Sequence, residues 1–373
     1  MSSGHADRPS TPVLVVGGCG FLGSHIVEAF TQKTTYSIVV ASRNPKDFRL
    51  QDVEYRAVDI ANSSEVSKLV EATRPRVIVH AATLGPFAMG DVHMEHYNAT
   101  RRLLEMAKKC KHVKAFVYTG SSSTVSNLNG ATAVGLKEDQ ANMYSLQSGP
   151  TPYARTKSAT QAMVLEFNTK RSDGLSTNGD FSDSLVTTVL CVPGIYGPRD
   201  TAITPRMLNM PTWLQLGPND VLHEWSYVEN VAHAHVLAAS ALLTPKSSTQ
   251  NVDGEWFFIS DGHPIPFWDF ARNIKLANSS GTTSGPGRVV VVPWWIVLRI
   301  ATVSEWLGWI FTFGKAVPAL NHNLVRYLKN GAYLDISKAR ERLGYEPVVD
   351  TNEGIRRAVR WVRNQSDEER PSV

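Results

Sequence analysis

A short apolar run that ends in regularly spaced glycines is the feature that most constrains how this chain folds. From position 13 the sequence reads VLVVGGCGFLGS, which spaces Gly17, Gly20 and Gly23 three residues apart behind a strand-like segment. In a strand–turn–helix unit, such glycines permit a tight turn, a close approach of the backbone to a pyrophosphate, and close packing of helix on strand. The helix that follows presents free N–H groups to phosphates. The pattern therefore predicts a dinucleotide-binding turn rather than a merely structural one, with Phe21 and Leu22 also in contact with the cofactor.

Strand-like and helix-like segments alternate over the first half of the chain. Apolar runs such as YSIVVAS, RVIVHAA and LVTTVLCVPG are typical of buried parallel strands, and helical patterns lie between them. This order predicts an α/β fold: a doubly wound parallel Rossmann sheet with a smaller, mostly helical C-terminal substrate lobe. We expect the cofactor-binding domain over residues 11–197, completed by about 223–261, and the substrate-binding lobe over residues 198–222 and 262–373.

Composition argues against several other classes of protein. The 373 residues carry a net charge of +4 without a basic stripe, so no nucleic-acid partner is expected. Cys19, Cys110 and Cys191 lie far apart in the sequence, which favours a reducing compartment and predicts no metal site. The polar first residues lack the apolar core of a signal peptide, and we expect a cytoplasmic protein or one at the cytosolic face of a membrane.

The end of the second predicted strand bears on the choice between NAD and NADP. An acidic residue there would hydrogen-bond the ribose 2′-hydroxyl group of NAD. The segment has no acidic residue between Glu28 and Asp47, and it offers Ser42 and Arg43 instead. Because an arginine at this position can meet a 2′-phosphate, the predicted cofactor is NAD(P), with NADP slightly favoured over NAD. The alternative is that Arg43 is only a solvated loop charge.

A tyrosine and a lysine stand four residues apart in the segment YARTK. The spacing puts Tyr153 and Lys157 on one face of a predicted helix. A phenol is a poor base near neutral pH, and a nearby ammonium favours the phenolate and lowers its pKa. A hydroxyl group at the end of the fifth predicted strand would complete the site, and Ser121, Ser122 and Ser123 are the candidates. Together with the glycine turn, these residues indicate a dehydrogenase that acts on an alcohol.

The glycine spacing and the Tyr-x-x-x-Lys pair resemble those of the extended short-chain dehydrogenases. Later blocks are similar to the 3β-hydroxysteroid dehydrogenase/isomerase family in particular, namely residues 192–200, 224–239, 257–272 and 333–361. Within that family the chain most resembles the branch of decarboxylating sterol-4α-carboxylate 3-dehydrogenases, over almost all of residues 13–361. It departs from that branch in the sequence TGSSS at positions 119–123 and in the missing acidic residue of the second strand.

The resemblance implies roles for individual positions. The family's Ser-x-x-Val pattern selects Ser122 as the hydroxyl group that orients the substrate oxygen, beside Tyr153 as the base and Lys157 as the group that stabilises the phenolate. It also implies cofactor contacts at the adenine, along the fourth strand and at the nicotinamide. The residues concerned are Asp59, Ile60, Ala81, Ala82, Thr83, Pro193 and Ile195, together with Tyr153 and Lys157.

The activity implied by the resemblance is NAD(P)-dependent oxidation of the 3β-hydroxyl group of a 4-carboxy sterol or triterpenoid, with loss of CO2 to give the 3-ketone. Oxidation beside the carboxylate makes a β-keto acid, which loses CO2 without a separate decarboxylase residue. The departures from the branch leave open a role in sterol biosynthesis or in triterpenoid or steroid-like secondary metabolism. The alternative is a 3β-hydroxysteroid dehydrogenase/isomerase, or another alcohol or ketone reductase, that does not decarboxylate its substrate.

An apolar segment over residues 294–313 reads WWIVLRIATVSEWLGWIFTF. It is just long enough to span a bilayer, but Arg299 and Glu305 lie within it, and a charge near the centre of a span costs about 3 kcal/mol. The segment could instead form a helix that lies in a membrane interface, or a helix of the substrate lobe that packs on the core or lines a sterol pocket. An interfacial helix would put the protein at the cytosolic face of the endoplasmic reticulum membrane. A homodimer is the remaining partner hypothesis.

Overall fold

The computed structural model describes residues 11–85, 91–127, 134–169, 184–244, 251–279, 288–312 and 318–368. The polar residues 1–10 and Phe313, at the end of the predicted apolar segment, lie outside these ranges. The strands are, in chain order, β1 (Pro12–Val16), β2 (Ser37–Ser42), β3 (Glu54–Ala57), β4 (Val77–His80), β5 (Ala115–Ser121), β6 (Val125–Asn127), β7 (Val134–Leu136), β8 (Ala141–Met143), β9 (Val186–Val192), β10 (Gly194–Tyr196), β11 (Leu214–Leu216), β12 (Leu222–His223), β13 (Trp225–Tyr227), β14 (Glu255–Phe258), β15 (Ile265–Pro266), β16 (Val290–Val292) and β17 (Tyr333–Leu334). The helices are α1 (Phe21–Lys33), α2 (Ser63–Thr73), α3 (Val92–Lys109), α4 (Pro152–Glu166), α5 (Ile203–Asn209), α6 (Val228–Leu243), α7 (Phe267–Asn278), α8 (Trp294–Thr312), α9 (His322–Asn330), α10 (Ser337–Leu343) and α11 (Thr351–Glu368).

Seven parallel strands form the main sheet, in the order β14, β9, β5, β4, β1, β2, β3. The order reverses between β1 and β4, because the chain first adds strands on one side of β1 and then continues on the other side. In a doubly wound sheet, a crevice forms at this point beyond the carboxyl ends of the strands, and ligands bind there. The predicted α/β class with a parallel sheet is confirmed.

The central strands are apolar because helices cover the sheet on both faces. Val13, Leu14 and Val15 of β1 are completely buried, as is Ile78 of β4. Helices α1 and α6 pack side by side, as do α3 and α4. Both α4 and α6 also contact β5 and β9. The glycine turn and the start of α4 are thereby fixed to the same rigid sheet.

The last third of the chain contributes both to the sheet and to a helical region. Strand β14 pairs with β9 and adds the seventh strand. Helices α7 and α11 pack together, and α5 packs on α7. The predicted C-terminal helical region is confirmed, with the short strand pairs β11–β16 and β12–β15 added to it. The residue boundaries of the two domains stay a prediction.

Helix α8 covers the predicted apolar segment as far as Thr312 and leaves most of it exposed. Val297 and Ala301 are its buried residues, whereas the side chains of Trp306 and Phe311 are 67% and 77% exposed. A helix packed into the core would bury these rings, so the structure disagrees with core packing for most of the segment. Among the described residues, no helix combines the length and the apolar character that crossing a membrane requires.

Candidate active site

The glycine turn between β1 and α1 has the close contacts expected of a phosphate cradle. Gly17 has a φ of +85°, and a Cβ atom there would lie 2.6 Å from the Cα atom of Ala82. A Cβ atom on Gly23 would overlap the carbonyl oxygen of Gly17. Helix α1 begins at Phe21, and no side chain among the residues that the structure describes caps its first N–H groups, which suits an anionic ligand. The turn therefore fits the pyrophosphate of a dinucleotide.

The predicted adenosine contacts lie at the ends of β2 and β3. Ser42 is the last residue of β2, and the exposed Arg43 follows it directly. Beyond β3, Asp59 is exposed and its Oδ1 accepts a 3.0 Å hydrogen bond from the backbone N–H of Ala61. Ile60 beside it is half-buried. These residues lie at the carboxyl ends of parallel strands or directly beyond them, the edge at which the crevice lies.

The predicted contacts along β4 and at the nicotinamide lie at the same edge. After β4, the backbone N–H groups of Ala81 and Ala82 both donate to the carbonyl oxygen of Val16, each at 2.9 Å. These hydrogen bonds hold two small residues against the glycine turn, in which Gly17 lies directly beside Ala82. Pro193 and Ile195 follow β9, and both are half-buried. The cofactor residues predicted from the sequence thus share one edge of the sheet.

Helix α4 carries the predicted catalytic pair in its first two turns. Thr151 caps the helix, because its Oγ1 accepts a 3.1 Å hydrogen bond from the backbone N–H of Ala154. Tyr153 is half-buried in the first turn, and Lys157 lies one turn later with only 5% of its surface exposed. The Nζ atom of Lys157 donates to Oγ1 of Thr83 at 3.4 Å. Thr83, Tyr153 and Lys157 all line one cleft, so the three side chains form one cluster.

The electrostatics of this pair differ from the sequence-based expectation. Burial raises the pKa of Tyr153, and the hydroxyl groups of Ser121 and Thr83 oppose that rise. Burial also lowers the pKa of Lys157 to about 7. The prediction that the Lys157 ammonium lowers the pKa of the phenol is therefore wrong for this structure. The physical reason is that desolvation disfavours the charged form of both groups.

The structure bears on which of the three candidate serines acts on Tyr153, and the prediction from the family pattern was Ser122. Strand β5 continues through Ser121, and the residues after it form a short 3₁₀ helix, Ser122–Thr124. The backbone N–H of Ser121 donates to Oε1 of Gln161 on α4 at 3.1 Å, which fixes this end of the strand beside the helix. Among the serines, Ser121 is the one whose side chain opposes the rise in the pKa of Tyr153. Ser121 is therefore the alternative that we take forward, and the choice between Ser121 and Ser122 stays a prediction.

Two histidines at the site were missed by the sequence reasoning. His93 and His96 on α3 line a cleft that Tyr153 and Lys157 also line, together with Thr83, Leu84, Thr156 and Thr160. The ring of His93 contacts the ring of Tyr153 edge-on, with 5.7 Å between the centroids. The signal was present in the segment HMEH, since residues three apart lie on one face of a helix. Burial and the charges of Lys157 and Arg43 are among the causes that lower the pKa of His96 to about 4.

Comparison with known sequences identifies relatives over almost the whole chain. Residues 14–286 match the 3-beta hydroxysteroid dehydrogenase/isomerase family. The decarboxylating sterol-4-alpha-carboxylate 3-dehydrogenase of Gibberella zeae is 31% identical over 310 residues, which cover 81% of this chain and 96% of that protein. The protein of the same description from Schizosaccharomyces pombe is 31% identical over 369 residues, which cover 95% of this chain and 98% of that protein.

Solved structures share the fold at lower identity. The UDP-glucuronic acid 4-epimerase of Bacillus cereus, solved in complex with NAD, superposes with a TM-score of 0.65. The match covers 96% of this chain and 98% of that chain at 18% sequence identity. At this identity the likeness concerns the fold alone.

Proposed function

This chain belongs to the 3-beta hydroxysteroid dehydrogenase/isomerase family, and from that premise we propose that it oxidises the 3β-hydroxyl group of a 4-carboxy sterol to the 3-ketone with loss of CO2. The observation that carries the proposal is the 31% identity, over 95% of the chain, to a decarboxylating sterol-4-alpha-carboxylate 3-dehydrogenase. The enzyme is an NAD(P)-dependent dehydrogenase, and its reaction belongs to sterol biosynthesis.

Tyr153, Ser121, Thr83 and Lys157 carry the oxidation in this proposal. When bound, NAD(P) supplies the nicotinamide ring that accepts a hydride from the carbinol carbon. The phenolate of Tyr153 takes the proton of the substrate hydroxyl group, and the Ser121 hydroxyl holds the same oxygen in place. Because burial raises the pKa of Tyr153, its phenolate is a strong base once formed, and the hydroxyl groups of Ser121 and Thr83 stabilise it. Lys157 supplies the positive charge on the same helix face and holds the nicotinamide ribose.

The cleavage that releases CO2 needs no further base, and a proton from water then adds to the carbon that lost CO2 and completes the 3-ketone. The new ketone stands one carbon from the carboxylate, so the electrons of the breaking C–C bond flow into the ketone and form an enolate. Tyr153, now protonated, and Ser121 both donate hydrogen bonds to the enolate oxygen, which stabilises its developing charge. Release of CO2 then draws the reversible oxidation toward product.

NADP is the preferred cofactor of this enzyme in our proposal. The support is local: Arg43 is exposed directly after Ser42 at the end of β2, and no acidic residue stands there. A guanidinium group can donate two parallel hydrogen bonds to a phosphate. A ribose hydroxyl group cannot accept such a pair. Gly17, Gly20 and Gly23 with the uncapped start of α1 hold the pyrophosphate, and Asp59 contacts the adenine.

Helix α8 lies in the surface of a membrane in our proposal, which puts the enzyme at the cytosolic face of the endoplasmic reticulum. Its exposed rings, Trp295, Trp306, Trp309 and Phe311, are of the kind that settle at the level of lipid headgroups. The one acidic side chain of the helix, Glu305, faces the protein instead, since its carboxylate binds the ring of His322 on α9 at 2.8 Å. A sterol dissolved in the bilayer then has a short path to the site.

A pair of matched sterols tests the proposed function. The purified protein with NADP is given a 3β-hydroxysterol that carries a 4α-carboxyl group and the same sterol without it, and the products are analysed by mass spectrometry. We expect the first substrate to yield the 3-ketone that lacks the carboxyl carbon. A ketone that retains the carboxyl group, or oxidation of the plain sterol alone, would instead favour a dehydrogenase that does not decarboxylate.

A further inference from the structure

Helix α4 carries, besides the catalytic pair, two buried polar side chains that the proposed mechanism does not use. Ser158 and Gln161 are both completely buried. Buried polar groups in folded proteins almost always form hydrogen bonds, and their partners show what they hold in place. Both side chains bind one short segment, residues 121–124, which is called the serine turn below. It consists of the last residue of β5 and the 3₁₀ helix that follows it.

The amide oxygen of Gln161 accepts two hydrogen bonds from the serine turn. The backbone N–H of Ser121 donates to it at 3.1 Å, and the hydroxyl group of Thr124 donates to it at 2.9 Å. The Thr124 side chain is completely buried, and its hydroxyl oxygen also lies 2.5 Å from the carbonyl oxygen of Ser121. One amide oxygen therefore binds both ends of the four-residue segment.

Ser158 adds a third hydrogen bond between α4 and the serine turn. Its hydroxyl group donates to the carbonyl oxygen of Thr124 at 2.9 Å. Tyr153, Lys157 and Gln161 follow one another at intervals of four residues, so they lie along one face of the helix. The helix that carries the catalytic pair thus also holds the segment that carries the candidate serines.

Gly120, directly before the serine turn, leaves room for this contact. A Cβ atom at this position would lie 2.5 Å from Oε1 of Gln161 and 2.9 Å from Cγ1 of Val189. A side chain here would therefore displace the amide group from the backbone of Ser121. The glycine in the sequence TGSSS is accordingly part of the same arrangement as Gln161.

We propose that Gln161 is a positioning residue for the reaction: it fixes the serine turn on α4 and so sets where the serine hydroxyl group lies relative to the phenol of Tyr153. The two hydroxyl groups must hold the same substrate oxygen, and a misplacement of about 1 Å can lower a rate by roughly 10²-fold. Strand β5 and helix α4 are separate elements, and the hydrogen bonds of Gln161 join them at the site. The inference rests on the proposed function in one respect, because the serine matters to turnover only if it orients the substrate oxygen as assigned above.

A double-mutant cycle tests whether Gln161 acts through the serine. Gln161→Met removes the amide oxygen at nearly the same side-chain length, and we expect kcat to fall roughly tenfold while the Kd for NADP stays as in the parent. In a Ser121→Ala background the same change should lower kcat by less than about twofold, because the hydroxyl group that it positions is already gone. Coupling to Ser122→Ala instead would support the positioning role and assign the hydroxyl group to Ser122. Losses that multiply with both serine variants would overturn the proposal.

Two further variants separate positioning from a general loss of stability. Ser158→Ala is a milder change of the same clamp, and we expect a fall in kcat of about threefold that also disappears in the Ser121→Ala background. Gln215→Met is the matched control, because Gln215 is buried as well and its amide group donates to the carbonyl oxygen of Gly217 at 2.9 Å, within the helical region. It should lower the melting temperature without lowering kcat. Equal losses of kcat in Gln161→Met and Gln215→Met would overturn the proposal.

Crystal structures of the parent and of Gln161→Met test the same claim without turnover. We expect the serine turn to shift or to lose order in the variant, while α4 stays in place. A variant in which residues 121–124 keep the parent conformation would overturn the proposal. The two hypotheses fail separately: inactivity of the parent enzyme on 4-carboxy sterols refutes the proposed function, while the crystal structures still decide whether Gln161 holds the serine turn.

Discussion

The active site and helix α8 both depart from the usual distribution of polar and apolar groups. The active site buries polar groups, whereas α8 exposes apolar ones. At the site, Lys157 and His80 are buried, although charged and polar side chains ordinarily stay at the surface unless paired. On α8, Trp306, Trp309 and Phe311 are exposed to solvent, although aromatic rings ordinarily contribute to a core. Each region therefore has surface that the described chain itself does not satisfy.

The difference indicates what kind of ligand each region takes. Buried polar groups around a glycine turn need hydrogen-bonding partners of fixed geometry, as a cofactor and a substrate hydroxyl group would provide. An exposed helix of aromatic and aliphatic side chains needs an apolar partner without fixed geometry, which a lipid surface provides. The two regions should accordingly fail independently when each is changed.

Removing the phenol tests the polar region most strongly. Tyr153→Phe deletes the group that takes the substrate proton, and we expect kcat to fall by about 10³-fold, since a positioned base contributes 10²–10⁴-fold. Binding of NADP, followed by fluorescence titration, and binding to lipid vesicles should both stay as in the parent. Residual turnover near the parent value would show that the base lies elsewhere.

Substitutions at two neighbouring serines distinguish the residue favoured by the structure, Ser121, from the residue selected by the sequence pattern, Ser122. Ser121→Ala removes the hydroxyl group beside Tyr153, and we expect kcat/KM to fall by roughly 10²-fold, as for one lost oxyanion donor. Ser122→Ala is the matched control, one residue along, and should change kcat/KM by less than about threefold. The reverse order of effects in steady-state assays would restore the assignment of Ser122.

Charges on α8 test the apolar region. Trp306→Glu combined with Trp309→Glu places two carboxylates where rings would enter the headgroup layer, and we expect vesicle binding to weaken by roughly 10- to 100-fold. Flotation with liposomes measures this, and Val348→Glu is the control, because Val348 is an exposed apolar residue outside α8. Turnover of a detergent-dissolved sterol should be preserved. If the double variant floats as well as the control, α8 does not contact the membrane.

The smallest expected effect concerns the cofactor. Arg43→Ala removes the guanidinium group at the end of β2, and the Kd for NADP should rise roughly tenfold because a charge-assisted hydrogen bond is lost. The Kd for NAD should change little, which calorimetry with both nucleotides can determine. An equal change for both cofactors would mean that Arg43 does not distinguish them.

The features that could be predicted from the sequence are those encoded by local spacing. The glycine turn, the Tyr153–Lys157 pair and the alternation of strands with helices depend on residues close together in the chain. The position of Ser121 could not be predicted in the same way, because it depends on how far β5 extends, and Gln161, 40 residues later, fixes that end. The rings of His80 and His96 join a strand end to a helix, and their contact exists only after α3 packs against the sheet.

Helix α8 shows a second limit of sequence reasoning. Its start was predicted to the residue, because Pro293 precedes the apolar segment, and the described part of the helix runs from Trp294 to Thr312. The exposure of its side chains could not be predicted. A helix that is apolar on nearly all sides has no periodic pattern that shows which side faces the core. In the structure, Val297 and Ala301 are its buried residues, and most of the remainder faces outward.

Stoichiometry of the released carbon tests the central claim most directly. The protein is incubated with NADP and a 3β-hydroxysterol labelled in its 4α-carboxyl group, and labelled CO2 and reduced cofactor are measured together. We predict equimolar amounts of the two from the parent protein and neither from Tyr153→Phe. Reduced cofactor without labelled CO2 from the parent, or undiminished CO2 release by Tyr153→Phe, would contradict oxidative decarboxylation at this site.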